Sequence, residues 1–227
     1  MIAERLESVE HRIQEACRAC GRAREDVRLV AVSKKKEAAL IAEALEAGQM
    51  VFGENRVQEV MAKQPELPSA IQWHLIGHLQ SNKVRAALHC EFDCIHSVDS
   101  EKLLRALNRE AAGQGRVQTV FLQVNVSGEG SKFGIQPAEL ELLLEASTTL
   151  HHVDIQGLMT LPPFAEDPEK AAPHFARLRR LRDEAAARTG FALPELSMGM
   201  SHDLEVAVRE GATLVRVGTD IFGARGT

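Results

Sequence analysis

The chain contains no tyrosine and a single tryptophan among its 227 residues, so a reaction that needs a phenol as acid or base would have to borrow one. Four cysteines are too few for a disulfide framework at this length, which points to a reducing, cytoplasmic setting. Positive charge is not in excess: 27 Lys and Arg against 32 Asp and Glu leave a net charge of −5 and no basic face for nucleic acid. No apolar run approaches a membrane span, and the opening MIAERLESVEHRI reads as a charged amphipathic helix rather than a secretory signal. Linkers and low-complexity tracts are also missing. The one proline-rich spot, Leu161–Phe164, reads as a long loop after a strand. With 44% hydrophobic residues, the expectation is one domain spanning residues 1–227 with a proper core.

Metal chemistry finds little support. Cys17 and Cys20 form a C-x-x-C, and Cys90 and Cys94 a C-x-x-x-C, so four thiolates exist for zinc in principle. Cys17, however, continues a helical stripe with Leu6, Val9 and Ile13, where side chains pack as core. The nine histidines show no H-E-x-x-H or comparable ligand spacing. No metal site is expected.

After the first helix, strand-like and helix-like segments alternate to the end of the chain. The strand candidates are Val27–Ser33, Val51–Glu54, Trp73–Gly77, Cys94–Asp99, Thr119–Val126, Asp154–Leu161, Leu196–Ser201 and Thr213–Phe222. Eight strands separated by helices predict a single (β/α)8 TIM barrel with an extra N-terminal helix. A doubly wound open sheet is the alternative. It would carry a glycine-rich turn after the first strand, where this chain has Lys34–Lys36.

Barrel chemistry sits at the C-terminal ends of the strands. The residues expected there are Lys34, Glu54, Asn55, Gly77, His78, Met159, Thr160, Met200, Ser201, Gly218 and Thr219. Lys34 ends an apolar strand, and partial desolvation of an amine favours its neutral, nucleophilic form. Such an amine forms a Schiff base with a carbonyl compound. A run of three lysines is equally the pattern of a solvated loop. At the far end, SMGMSHD (197–203) opens a helix and RVGTDIFGA (216–224) follows. Gly199 allows a close turn, Ser201 offers a helix cap and a hydroxyl, and Gly218 with Thr219 presents donors to an anion. Arg216 interrupts an apolar strand and faces away from Val215 and Val217, toward the barrel interior, where it needs an acceptor, an ion-pair partner or a ligand.

A lysine, an arginine and a phosphate loop at one mouth suggest pyridoxal 5'-phosphate. An arginine beside the pyridine nitrogen keeps that nitrogen unprotonated and the ring a poor electron sink. The motifs LVAVSK (29–34), FGENRVQE (52–59), WHLIGHLQSNK (73–83), QVNVSGEGSKFGI (123–135), GLMTL (157–161), LSMGMSHDLEVAV (196–208) and VRVGTDIFGAR (215–225) run almost end to end. With them the chain closely resembles the YggS/PROSC family of pyridoxal phosphate homeostasis proteins, whose fold looks like the N-terminal barrel of alanine racemase. The resemblance implies that Lys34 carries the cofactor, that Ser201, Gly218 and Thr219 bind its phosphate, and that Arg216 meets the ring nitrogen. Asn55 and Met200 match family positions near the cofactor, and Lys36 and Lys132 match basic ones. Some members have tyrosine after FGEN where this chain has Arg56, which adds a cation near the mouth. Others read SKTKP where Lys35 and Glu37 stand here, or continue past Thr227 with a basic tail.

The family is thought to bind and distribute the cofactor without established catalysis. Two-base racemisation needs a second group opposite the lysine. The related racemases supply a tyrosine from a second domain that this chain has no room for. His74, His78 and His202 are imaginable bases, and each also reads as an ordinary satisfied histidine. The expected function is therefore intracellular buffering, protection or delivery of pyridoxal phosphate by a monomer, with apo pyridoxal-phosphate-dependent enzymes as partners. The alternatives are a weak amino-acid racemase or a Schiff-base aldolase without cofactor.

Overall fold

Eight parallel strands close on one another in chain order, β1 to β8, with β8 hydrogen-bonded back to β1. The structure, a computed structural model, describes residues 1–129 and 133–223. The strands are β1 (Arg28–Val32), β2 (Val51–Glu54), β3 (Gln72–Leu75), β4 (Cys94–Val98), β5 (Gln118–Gln123), β6 (Val153–Met159), β7 (Glu195–Met200) and β8 (Leu214–Val217). The helices are α1 (Ile2–Ala19), α2 (Ala38–Glu46), α3 (Val57–Lys63), α4 (Val84–His89), α5 (Glu101–Gly113), α6 (Leu140–Ser147), α7 (Ala172–Thr189), α8 (Leu204–Arg209) and α9 (Thr219–Phe222). This is the (β/α)8 barrel with an N-terminal helix. Closure places Leu29 opposite Val215 and Val30 opposite Arg216, which rules out the open sheet.

Strands buried on both faces read as continuous apolar runs, and successive side chains alternate between the barrel interior and the helix layer. Leu29 and Ala31 join the large core between strands and helices. Val30 packs instead with Cys94, Phe121, Met159 and Leu214 in a separate inner cluster. Each fully buried Leu or Phe contributes roughly 1.5–3 kcal/mol, so the outer layer carries most of the stability. In α1 the spacing of Ile2, Leu6, Val9, Ile13 and Cys17 puts one apolar stripe inward, and it packs on α2, α8 and α9. Cys17 is core, as its helical spacing predicts, and all four cysteines are free thiols.

The expected strand Thr213–Phe222 proves to be two elements. β8 ends at Val217, and beyond Gly218 the backbone turns helical, with the Ile221 and Phe222 amides donating to the Gly218 carbonyl at 3.1 and 2.8 Å. Ile221 and Phe222 are buried through this turn rather than by pairing in a sheet. So short an apolar run has no period by which helix and strand can be told apart.

No helix among the described residues is long and apolar enough to cross a membrane. Among the same residues there is no group of three or more His, Cys, Asp or Glu side chains that could hold a metal.

Candidate functional site

The peptide that carries Lys34 is clamped from beneath. β1 ends at Val32, and Ser33–Lys36 make a turn in which the Lys36 amide donates to the Ser33 carbonyl at 3.0 Å. Lys35 takes the left-handed conformation, φ 59°, and its amide donates to Glu59 Oε2 at 2.6 Å. From the end of α3, Lys63 Nζ donates to the Ser33 carbonyl at 3.0 Å and to Glu54 Oε1 at 2.7 Å. Ser33 Oγ donates to the same carboxylate oxygen at 2.7 Å. Burial pushes the Glu54 carboxyl above the ordinary carboxylate range, opposed by its bonds to Lys63 and Ser33. Expected at the mouth, Glu54 is instead fully buried below it. Its place on β2 turns the side chain toward α3, where it neutralises Lys63. The Lys34 side chain is half-buried and faces the cavity.

The adjoining wall is formed by the turn after β7 and the start of α9, next to β1 because β8 pairs with it. Gly199 has φ +91°, and a Cβ there would lie 2.4 Å from Ala207 Cβ, so the close turn read from the sequence requires glycine. Ser201 is not the helix cap that the sequence suggests. Asp203 occupies that position, and its Oδ1 turns back to accept the Met200 amide at 2.6 Å. Ser201 lies two residues before Asp203, so its hydroxyl is left on the cavity wall rather than at the helix end. Thr219 opens α9 directly after Gly218, and both line the same wall.

Arg216 forms the floor. It is 3% exposed, donating from Nη1 to Ser197 Oγ at 2.6 Å and from Nη2 to the Thr160 carbonyl at 2.9 Å. The ordinary interior ion pair is not what holds it: among the described residues no carboxylate lies within ion-pair distance. Burial lowers its pKa to about 10, against the pull of Asp203, so the guanidinium is charged at neutral pH. Thr160, expected at the mouth, is buried beneath it, its hydroxyl donating to the Val124 carbonyl at 2.9 Å. Met159 is buried in the inner cluster. Both residues lie too deep to reach the opening.

Lys34, Asn55, Met200, Ser201, Arg216, Gly218 and Thr219 all border one cavity of about 570 Å³. That is the size of a small-molecule site. A Cβ at Gly77 would sit 2.2 Å from the Asn55 carbonyl oxygen, so glycine after β3 lets Asn55 reach the wall. His78 and His202 stand at the rim. His78 stacks on Phe133 with ring centroids 4.0 Å apart and meets Asp99 at 3.1 Å, while His202 Nε2 pairs with the Glu166 carbonyl at 2.9 Å. His74 does not belong to this mouth. It is buried inside the barrel, its pKa lowered to about 3 by burial and then by Arg28. Arg56 is exposed at the start of α3 and does not line the cavity. Lys36 lines it and donates from Nζ to the Phe222 carbonyl at 2.9 Å. Lys132 and the segment from residue 224, including Arg225 and Thr227, lie outside the described residues.

The sequence pattern did not reveal Arg12, whose side chain runs from α1 to the Ser201 carbonyl and to Asp220. Nor did it reveal the bracket of Glu59 and Lys63 around the lysine turn. The only hint of the latter was an i, i+4 pair of opposite charge at the end of a helix.

The chain matches the family described as alanine racemase, N-terminal domain, over residues 5–226. It is 47% identical over 228 residues to the pyridoxal phosphate homeostasis protein of Pseudomonas aeruginosa, covering 99% of this chain and 96% of that one. The chain belongs to the pyridoxal phosphate homeostasis protein family. Its structure is similar to that of PipY of Synechococcus elongatus with PLP bound, at 44% identity and a TM-score of 0.87, covering 98% of this chain and all of that one. An alanine racemase of Clostridium difficile shares the barrel alone, at 15% identity and a TM-score of 0.77, and this chain spans 58% of its length.

Proposed function

We propose that this member of the family binds pyridoxal 5'-phosphate at Lys34 and serves intracellular cofactor homeostasis by buffering, protecting or delivering it. The observation that carries the reading is one cavity whose wall holds an amine, a buried guanidinium and two hydroxyls, one from the turn after β7 and one from the glycine-led start of α9. When bound, the cofactor supplies an aldehyde that forms a reversible Schiff base with an amine. Lys34 would hold the aldehyde end. Ser201, Gly218 and Thr219 would hold the phosphate, while Asn55 and Met200 would lie near the cofactor. Arg216 fits the ring nitrogen as a pure donor. It would keep that nitrogen unprotonated, which favours a stored cofactor over a strongly activated one.

The reading extends to a single cofactor-binding domain over residues 1–227, acting as a cytoplasmic monomer that meets apo pyridoxal-phosphate-dependent enzymes. Its cofactor part is supported by relatives that are pyridoxal phosphate homeostasis proteins and by the structure of PipY with PLP bound. The deciding experiment is the visible spectrum of the purified protein, followed by borohydride reduction and peptide mapping. A yellow protein whose adduct maps to Lys34 is expected. A colourless protein that stays colourless with added pyridoxal phosphate would overturn the reading.

A second reading, a weak amino-acid racemase, draws on His78 and His202 at the rim. Both rings already have partners, and the chain has no tyrosine to act as the opposing base. Solvent deuterium exchange at the α-carbon of an amino-acid panel separates the two. The carrier reading predicts no exchange above the free-cofactor rate, and turnover lost in Lys34→Ala would establish the enzyme.

A further inference from the structure

The barrel interior holds a file of polar side chains in a place where apolar packing is the rule. Arg216 on β8 donates to Ser197 Oγ on β7 at 2.6 Å. Ser197 Oγ lies 2.8 Å from His96 Nδ1 on β4, and His96 Nε2 lies 2.9 Å from His74 Nδ1 on β3. None of the four side chains is more than 5% exposed. Arg216 faces the ligand cavity. His74 borders a second cavity of about 350 Å³, shared with Arg28, Asp93, Asp154 and Glu195. Arg28 and Glu195 begin their strands, so this second cavity lies at the opposite end of the barrel. The file runs from one mouth to the other.

The direction of every proton in the file follows from its first member. A guanidinium only donates, so Ser197 Oγ accepts from Arg216 and must place its own proton elsewhere. Among the described residues its remaining partner is His96 Nδ1. That nitrogen therefore bears the lone pair, and His96 carries its proton on Nε2, which donates to His74 Nδ1. His74 in turn carries its proton on Nε2. The reverse tautomer at His96 would strand the serine proton in a dry interior, at the cost of an unmade hydrogen bond. Both rings are neutral, since burial drives their pKa values down, with the neighbouring Arg216 charge adding to the effect at His96. Each acceptor end thus points toward Arg216, so aligned dipoles stabilise a buried cation that has no carboxylate bonded to it among the described residues.

Building on the reading of Arg216 as the partner of the ring nitrogen, we infer that Ser197, His96 and His74 are positioning residues. As a neutral, one-directional file they hold the guanidinium aimed at the cofactor ring and couple the ring to the far end of the barrel. None of the three lines the ligand cavity.

Two arms test this. The first needs no cofactor: nitrogen-15 histidine spectra of the unliganded protein at neutral pH should show His96 and His74 as neutral rings protonated on Nε2. A ring protonated on Nδ1, or a charged ring, at either position overturns the file. The second arm reads the visible band and affinity of bound pyridoxal phosphate in variants whose fold is checked by circular dichroism. Ser197→Ala should shift the band and weaken binding about tenfold, as expected for loss of one buried charged hydrogen bond. His74→Leu should shift the band in the same direction from the opposite end of the barrel. His74→Asn, whose amide stands in for Nδ1, should restore it. Gln156→Ala is the control, since Gln156 borders the same second cavity but bonds to Asp154 and not to the file. No shift in folded Ser197→Ala and His74→Leu, or an equal shift in Gln156→Ala, overturns the coupling. A wild-type protein that binds no pyridoxal phosphate would defeat the functional reading instead, and the tautomer spectra would still decide the file.

Discussion

Arg12 reaches across from the N-terminal helix to donate from Nη2 to the Ser201 carbonyl at 2.8 Å, while its Nη1 meets Asp220 Oδ2 at 2.5 Å. One side chain thereby ties together the two backbone segments that would hold a phosphate. In its ion pairs Arg12 and Asp220 are about one-third exposed and Glu205 nearly half, so the pairs add no more than about 1 kcal/mol to stability. Position is the larger effect. Arg12→Ala should leave the melting temperature nearly unchanged and weaken pyridoxal phosphate binding more than pyridoxal binding. Parallel titrations with the two ligands check this, and an equal loss for both would mean that Arg12 does not organise the phosphate wall.

Ser201 and Thr219 approach the cavity from the two segments that Arg12 ties. Replacing both with alanine should cost roughly 1–3 kcal/mol of affinity for the phosphorylated ligand, the worth of lost buried hydrogen bonds. Affinity for pyridoxal should stay the same. If the wild type binds pyridoxal as tightly as its phosphate, the loop is not a phosphate site.

Lys63 and Glu54 form a buried pair under the lysine turn, with Glu54 fully buried and Lys63 12% exposed. Lys63→Met leaves a carboxylate without its cation and should destabilise the fold by roughly 3–5 kcal/mol. The double variant Glu54→Gln, Lys63→Met should recover much of that loss, because no uncompensated charge remains. Urea unfolding of the three proteins measures it. A double variant no more stable than the single would show that the pair acts through its bonds to Ser33 rather than through charge.

The histidine file also sets a pH dependence of stability. His74 is lowered to about 3 and His96 is lowered as well, so the unfolded chain binds protons that the folded chain refuses. A depressed folded pKa gives stability that is present above the unfolded value near 6.5 and is lost as pH falls toward the folded one. Below pH 6.5 stability should therefore fall by up to about 1.4 kcal/mol per pH unit for each histidine. Glu54, raised by burial, works in the opposite sense, but only nearer the ordinary carboxylate range. Urea unfolding between pH 7 and 5 should show the slope, reduced in His74→Leu. An unchanged slope would place the proton uptake elsewhere.

The barrel was legible because parallel strands buried on both faces leave continuous apolar runs, and eight of them alternate with helical stripes. The runs misled only where they were short. Ile221 and Phe222 continue the apolar run of β8, yet they are buried by a helical turn begun at Gly218. The residues now seen around the cavity were legible for a related reason. Lysine, arginine, serine and threonine at the ends of apolar strands are out of place in a core and stand out.

What sequence alone determined is the local part: which segments are strands, which face of α1 is apolar, and which polar residues end up at strand termini. Tertiary structure decided how distant polar groups pair. Arg12 with Ser201, Lys63 with Ser33, and Arg216 with Ser197, His96 and His74 are joined only when the barrel closes. No spacing along the chain encodes those meetings. They depend on strand register and on helices packed across the barrel wall, and in a dry interior each hydrogen-bonding group must find whichever partner the fold brings to it.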